Sequence, residues 1–122
     1  TLNTFDKEAA YHNQKYNNQK IKEVIKVPLM KVNDIFPKYF PDGCDFLSLD
    51  VEGLEMQILS SMDLKINRPL VFCIETAEYA ASANAIKKET GIIEFLKDNN
   101  YFQYADTFIN TIFIDKKYWD AI

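Results

Sequence analysis

The sequence predicts an α/β domain in which two parallel strands, each followed by a helix, lead into a C-terminal antiparallel hairpin. Three observations predict it. Two short apolar runs of strand length, Asp45–Asp50 and Pro69–Ile74, flank a stretch with helical spacing at Leu54, Ile58 and Met62. A second helical stretch, from Gly91 to Asn99, follows the second run. Tyr101–Asp106 and Phe108–Asp115 then succeed one another with hardly a break, as the arms of a hairpin do. Strand–helix–strand–helix ahead of a hairpin gives parallel strands with an antiparallel edge.

Taken in order, residues 1–23 are rich in Asn, Gln and Lys and read as a polar connecting arm with a helical turn or two, on an apolar stripe of Leu2, Phe5, Ala9 and Ala10. Residues 24–122 form the domain. Val24–Met30 carries β-branched residues, but Pro28 cannot donate to a ladder, so an edge strand is the most this segment can form. Val32–Tyr39 has the pattern of a short helix, with Pro37 and Pro41 to end it. Asp45–Asp50 is the first internal strand, and Val51-Glu52-Gly53 is a connection of the length usual between strand and helix. Pro69–Ile74 is near-continuously apolar, which predicts a parallel strand covered on both faces. Thr76–Glu89, small, polar and Ala-rich, reads as a loop with a helical portion. The helix from Gly91 buries Ile92, Ile93 and Leu96, and the Asn99-Asn100 pair stops it. Tyr101, Phe102, Tyr104, Phe108 and Phe113 are expected in core and hairpin packing, because no basic residues are interleaved to make a base-stacking platform.

A chain of 122 residues is one domain's length, and 48% hydrophobic residues with 14% aromatics exclude wholesale disorder. The net charge of −4 argues against a nucleic-acid surface, and no apolar run approaches the length of a membrane span. Cys44 and Cys73 sit beside apolar runs and read as buried reduced thiols in a cytoplasmic protein. Neither has partners at zinc-ligand spacing. His12, the one histidine, lies in the polar arm and reads as a solvated surface residue.

Chemistry is expected where acids meet strand ends. Asp50 closes the first parallel strand and Glu75 the second, and ligands of open α/β sheets bind beyond the carboxyl ends of the strands. Neighbouring parallel strands would bring both carboxylates to one rim, with Glu52 in the turn above. Glu52 and Glu55 also suit a plainer role, since acids ahead of a helix satisfy its free N–H groups. Spacing alone does not name the reaction.

The segment Asp45-Phe-Leu-Ser-Leu-Asp-Val-Glu-Gly-Leu-Glu55 resembles the central motif of the FkbM-type S-adenosylmethionine-dependent methyltransferases, an apolar strand ending in Asp-Val-Glu-Gly-x-Glu. Val27–Ile35, Pro69–Glu75, Ile93–Lys97 with Tyr101, and Asn110–Ile114 are similar to the family's flanking segments. The resemblance implies a Rossmann-like methyltransferase sheet, here its carboxyl-terminal half. The family's glycine-rich cofactor turn and its ribose-binding acid are not found, for Gly43, Gly53 and Gly91 are isolated.

The implied function is methyl transfer from S-adenosylmethionine to a hydroxyl of a sugar or secondary metabolite, with this piece inactive and without cofactor by itself. The implied catalytic set is Asp50, Glu52 and Glu75: Asp50 takes the hydroxyl proton and Glu75 holds a neighbouring hydroxyl. The same acids are hard ligands that suit Mg²⁺, though the reading without a metal is preferred. The alternative function is a degenerate methyltransferase-like module kept for binding or assembly. Because the family's missing half would lie beside Asp45–Asp50, that strand becomes an unguarded edge, and a homo-oligomer covering it is expected.

Overall fold

The computed structural model describes Thr4 and residues 7–51, 53–79 and 86–122. Strands β1 (Phe46–Leu49) and β2 (Val71–Glu75) form where the two apolar runs stand. They pair in parallel, with Phe46 opposite Val71 and Leu49 opposite Ile74. Helix α3 (Glu55–Ser61) makes the crossover between them, and α4 (Thr90–Asp98) precedes the hairpin of β5 (Tyr101–Asp106) and β6 (Asn110–Asp115). The hairpin returns its second strand, not its first, to β2, so the sheet order is β1-β2-β6-β5. Among the described residues β1 is therefore an edge. The mixed α/β architecture agrees with expectation, one parallel pair joined to antiparallel strands.

The core lies between one face of this sheet and the helices. Phe72, Ile74, Leu59, Ile92 and Leu96 are fully buried, and Phe113 nearly so. Burying a side chain such as Phe72 contributes about 2–3 kcal/mol. The Phe72 ring meets Tyr101 edge-on, at 5.0 Å between centroids. Along β2, however, burial alternates: Phe72 and Ile74 are buried while Val71, Cys73 and Glu75 are half-buried. The expected two-sided cover of β2 is corrected to one side, because an apolar run identifies a buried strand without fixing how many faces are packed.

Other elements depart from expectation as well. The polar arm contains a ten-residue helix, α1 (Lys7–Tyr16), longer than a turn or two; Leu2 and Phe5 of its supposed stripe lie outside the described residues. Val24–Met30 forms no strand, and residues 20–30 have no regular secondary structure and are exposed. Helix α2 (Val32–Tyr39) contains Pro37 instead of ending there. One lost N–H bond near the end of a short helix is tolerated while Phe36 anchors it in the core and Phe40 N–H closes onto the Phe36 carbonyl. Asn33 fastens α2 to the end of α3, donating to the Ser61 carbonyl and accepting from Asp63 N–H.

The segment expected as a loop with a helical portion is in its described parts a second hairpin, β3 (Ala77–Tyr79) with β4 (Ile86–Lys88). The end of α4 behaves as anticipated. Asn99 caps it, its side chain donating to the Phe95 carbonyl, and Asn100 takes the left-handed conformation that more often falls to glycine (φ +63°). Of the five aromatics, Tyr101 and Phe113 are core, whereas Tyr104 and Phe108 are exposed. Phe108 occupies the β5–β6 turn at φ +77°, so it does not pack as expected.

Candidate acid site at the strand ends

The register that places Leu49 beside Ile74 carries one residue further to Asp50 and Glu75. Both acids stand on one rim, at the carboxyl ends of neighbouring parallel strands. A third acid joins them. One carboxylate oxygen each from Asp50, Glu55 and Glu75 lies within 4.8 Å of the other two. Asp50 is exposed, Glu75 half-buried and Glu55 buried. Glu52, the third residue expected here, lies outside the described residues.

Glu55 shows how the turn is built. Its Oε1 accepts the N–H of Val51 at 2.8 Å and its Oε2 accepts the N–H of Gly53 at 3.0 Å. A buried carboxylate thus holds both ends of the connection that presents Asp50. Gly53 has φ +96°, a conformation in which a side chain would be strained. The final Gly-x-Glu of the motif is therefore explained by local structure. Sequence reasoning assigned Glu55 to helix capping, and that part is right in kind. It missed that the same carboxylate reaches the rim; the available signal was an acid two residues after a glycine turn that follows a strand.

Beyond β2 the rim continues into the β3–β4 hairpin. Thr76 is its pivot: its N–H donates to the Ile109 carbonyl, and its own carbonyl accepts from Glu89 N–H. The buried Thr76 and Thr111 hydroxyls meet at 2.6 Å. Lys88 Nζ donates to Thr76 Oγ1 at 3.1 Å and pairs with Asp106 at 2.9 Å. The Lys88 hydrogen bond, followed by that from Phe108 N–H, holds the Asp106 carboxyl below its ordinary range. Lys88 was not anticipated from the sequence.

The opposite end of the sheet has a different character. Arg68 pairs with Asp115 through Nε at 2.7 Å and Nη2 at 3.1 Å, while also donating to the Asn99 carbonyl and stacking over Tyr101. Burial works against the charge on Asp115, but the Arg68 and Lys117 N–H hydrogen bonds outweigh it and keep the carboxyl low. This end is a clamp.

The remaining candidates stay out of the site. His12 is exposed and packs its ring on Tyr16. Cys44 is buried and free, as expected; burial pushes its thiol up, away from the reactive thiolate. Cys73 is free but only half-buried. Among the described residues no helix is long and apolar enough to cross a membrane.

Chemically, two accessible carboxylates at a strand-end rim can take a proton from a bound hydroxyl or accept hydrogen bonds from a polyol. Three acid oxygens this close also suit a hard cation, although both oxygens of Glu55 already receive backbone donors. Against known families, the model of the Methyltransferase FkbM domain matches residues 1–116 of the 122. No curated protein and no solved structure matches the chain.

Proposed function

The chain belongs to the FkbM methyltransferase family, and from that premise we propose that its acid rim is the acceptor side of an S-adenosylmethionine-dependent O-methyltransferase. The observation that carries the reading is the gathering of Asp50 and Glu75 at adjacent strand ends, with Glu55 bracing the turn between strand and helix. In this reading the acceptor is a hydroxylated sugar or secondary metabolite. Asp50, the more exposed acid, takes the proton of the hydroxyl that becomes methylated. Glu75 accepts a hydrogen bond from a neighbouring hydroxyl and so fixes which oxygen is presented. General-base assistance of this kind contributes typically 10²–10⁴-fold.

The described residues do not themselves fit the cofactor. A cofactor turn needs free N–H donors on a glycine loop ahead of a helix. The one glycine turn between strand and helix has its Val51 and Gly53 N–H groups occupied by Glu55. S-adenosylmethionine supplies the methyl group in this family, and its binding is assigned to parts of the complete protein other than this rim.

Two measurements test the proposal. Calorimetry of this chain with S-adenosylmethionine should give no measurable heat, and micromolar binding would mean the cofactor site has been misplaced. In the complete protein Asp50→Asn should lower methyl transfer by two orders of magnitude or more. Wild-type turnover in that variant would remove Asp50 from the mechanism.

A further inference from the structure

We propose that Phe108 is a stacking platform beside the acid rim, taking the apolar face of a pyranose-like acceptor ring whose hydroxyls reach Asp50 and Glu75. The inference rests on reading that rim as the acceptor side, and it narrows the acceptor to a cyclic polyol. An open chain has no flat face to offer.

The starting point is a backbone conformation that the side chain does not suit. Thr107 N–H donates to the Asn110 carbonyl at 2.8 Å, which leaves Phe108 and Ile109 as the two residues of a tight turn. Phe108 has φ +77°, and Ile109 does not share the positive φ. Positive φ at the first turn residue alone is the hairpin geometry that glycine ordinarily fills, and a bulky residue there is an outlier. The surroundings hold this conformation in place. Phe108 N–H donates to Asp106 Oδ1 at 2.8 Å, and Lys88 Nζ meets the same oxygen at 2.9 Å. Burial does not account for the choice of Phe, since among the described residues it is left 66% exposed, with Ile109 41% exposed beside it. Glycine would fit the turn better, and a polar side chain would suit water better. A sparsely populated conformation fixed by its neighbours is the kind that recurs at ligand contacts.

The turn stands on the same rim as the acids. β2 and β6 run antiparallel with Glu75 opposite Asn110, so the start of β6 lies at the carboxyl end of β2. Thr76, the residue after Glu75, donates its N–H to the Ile109 carbonyl at 3.0 Å. Asp50, Glu75 and Phe108 therefore follow one another along one end of the sheet, across β1, β2 and the turn into β6. Neighbouring strands lie about 4.8 Å apart, which spreads the acids and the aromatic residue over about 10 Å, a span that one sugar unit bridges. Sites that orient small ligands join aromatic surface to a few placed polar groups. Carboxylates alone would receive any polyol. The aromatic face adds a contact that only a ring fills, and so decides which hydroxyl meets Asp50.

The test is a nuclear magnetic resonance titration of the complete protein, with its phenylalanine rings labelled, against two probes. Methyl β-D-glucopyranoside is a ring with an apolar face, and sorbitol is an open-chain polyol. The Phe108 signal is identified by its loss in Phe108→Gly. The glucoside should shift the Phe108 ring signal and the Glu75 amide together, and sorbitol should leave the ring signal unmoved. Phe108→Gly should raise the glucoside dissociation constant about fivefold, and Phe108→Tyr should keep it. Phe108→Gly should not lower the urea midpoint, because relief of the positive φ offsets the backbone entropy of glycine. A Glu75 shift with Phe108 silent overturns the inference and leaves the acid rim standing, whereas silence at both residues overturns the two readings together. A ring signal that sorbitol moves as far overturns the choice of a cyclic acceptor. A lower urea midpoint in Phe108→Gly also overturns the inference, since the ring would then be packed inside the protein.

Discussion

At Glu55 one buried carboxylate holds Val51 N–H and Gly53 N–H and thereby aims Asp50 outward from the sheet. Replacing it with Ala leaves two N–H groups of the turn without their acceptor. We expect Glu55→Ala to cost about 2–4 kcal/mol in urea unfolding, and Glu55→Gln, which retains one acceptor oxygen, roughly half of that. Gly53→Ala should cost about 1–2 kcal/mol from backbone conformation alone, because an added Cβ would meet nothing within 4 Å. At the other end of the sheet the Arg68–Asp115 pair carries a pH signature. The folded carboxyl of Asp115 titrates below its ordinary value of 3.8. Its stabilisation is therefore complete above that value and is lost as pH falls through the lower folded one. Asp115→Asn should destabilise the protein by about 2 kcal/mol at neutral pH and flatten the acid limb of the stability curve. An unchanged acid limb would show that other carboxylates govern acid unfolding.

Among the elements, those with a strong pattern were legible and those held by tertiary contacts were not. β1, α3, α4 and the β5–β6 hairpin follow from apolar spacing and from the Asn99-Asn100 stop. The strand ends also place Asp50 and Glu75 on one rim. Ala77–Tyr79 and Ile86–Lys88 could not be read in this way: three-residue strands present too little alternation, and Ala is a poor strand former. What registers that hairpin in the fold is Lys88 bound to Thr76 and Asp106, a contact between distant positions. Lys88→Met should accordingly speed amide exchange of Ala77–Tyr79 and Ile86–Lys88 and leave β2 and β6 as protected as before. Val24–Met30 failed in the opposite sense. Its composition is that of a strand, but among the described residues it pairs with no edge, and local propensity cannot form a ladder alone.

At the scale of the whole molecule, the two ends of the sheet differ in charge. Arg68 and Asp115 neutralise each other at the first. At the second, Asp50, Glu55 and Glu75 crowd three carboxylates within 4.8 Å. Asp50 is the exposed member of the three, so its charge is screened by solvent and contributes little to stability in either direction. Asp50→Asn should therefore leave the stability of the chain at neutral pH unchanged to within about 1 kcal/mol in urea unfolding, with the shape of the side chain preserved. On the proposed function, the same change should abolish most methyl transfer. The two readouts together discriminate between roles. Unchanged stability with lost turnover marks a residue that acts in the chemistry, whereas lower stability with lost turnover would assign Asp50 to the architecture of the turn and leave Glu75 as the acid to examine.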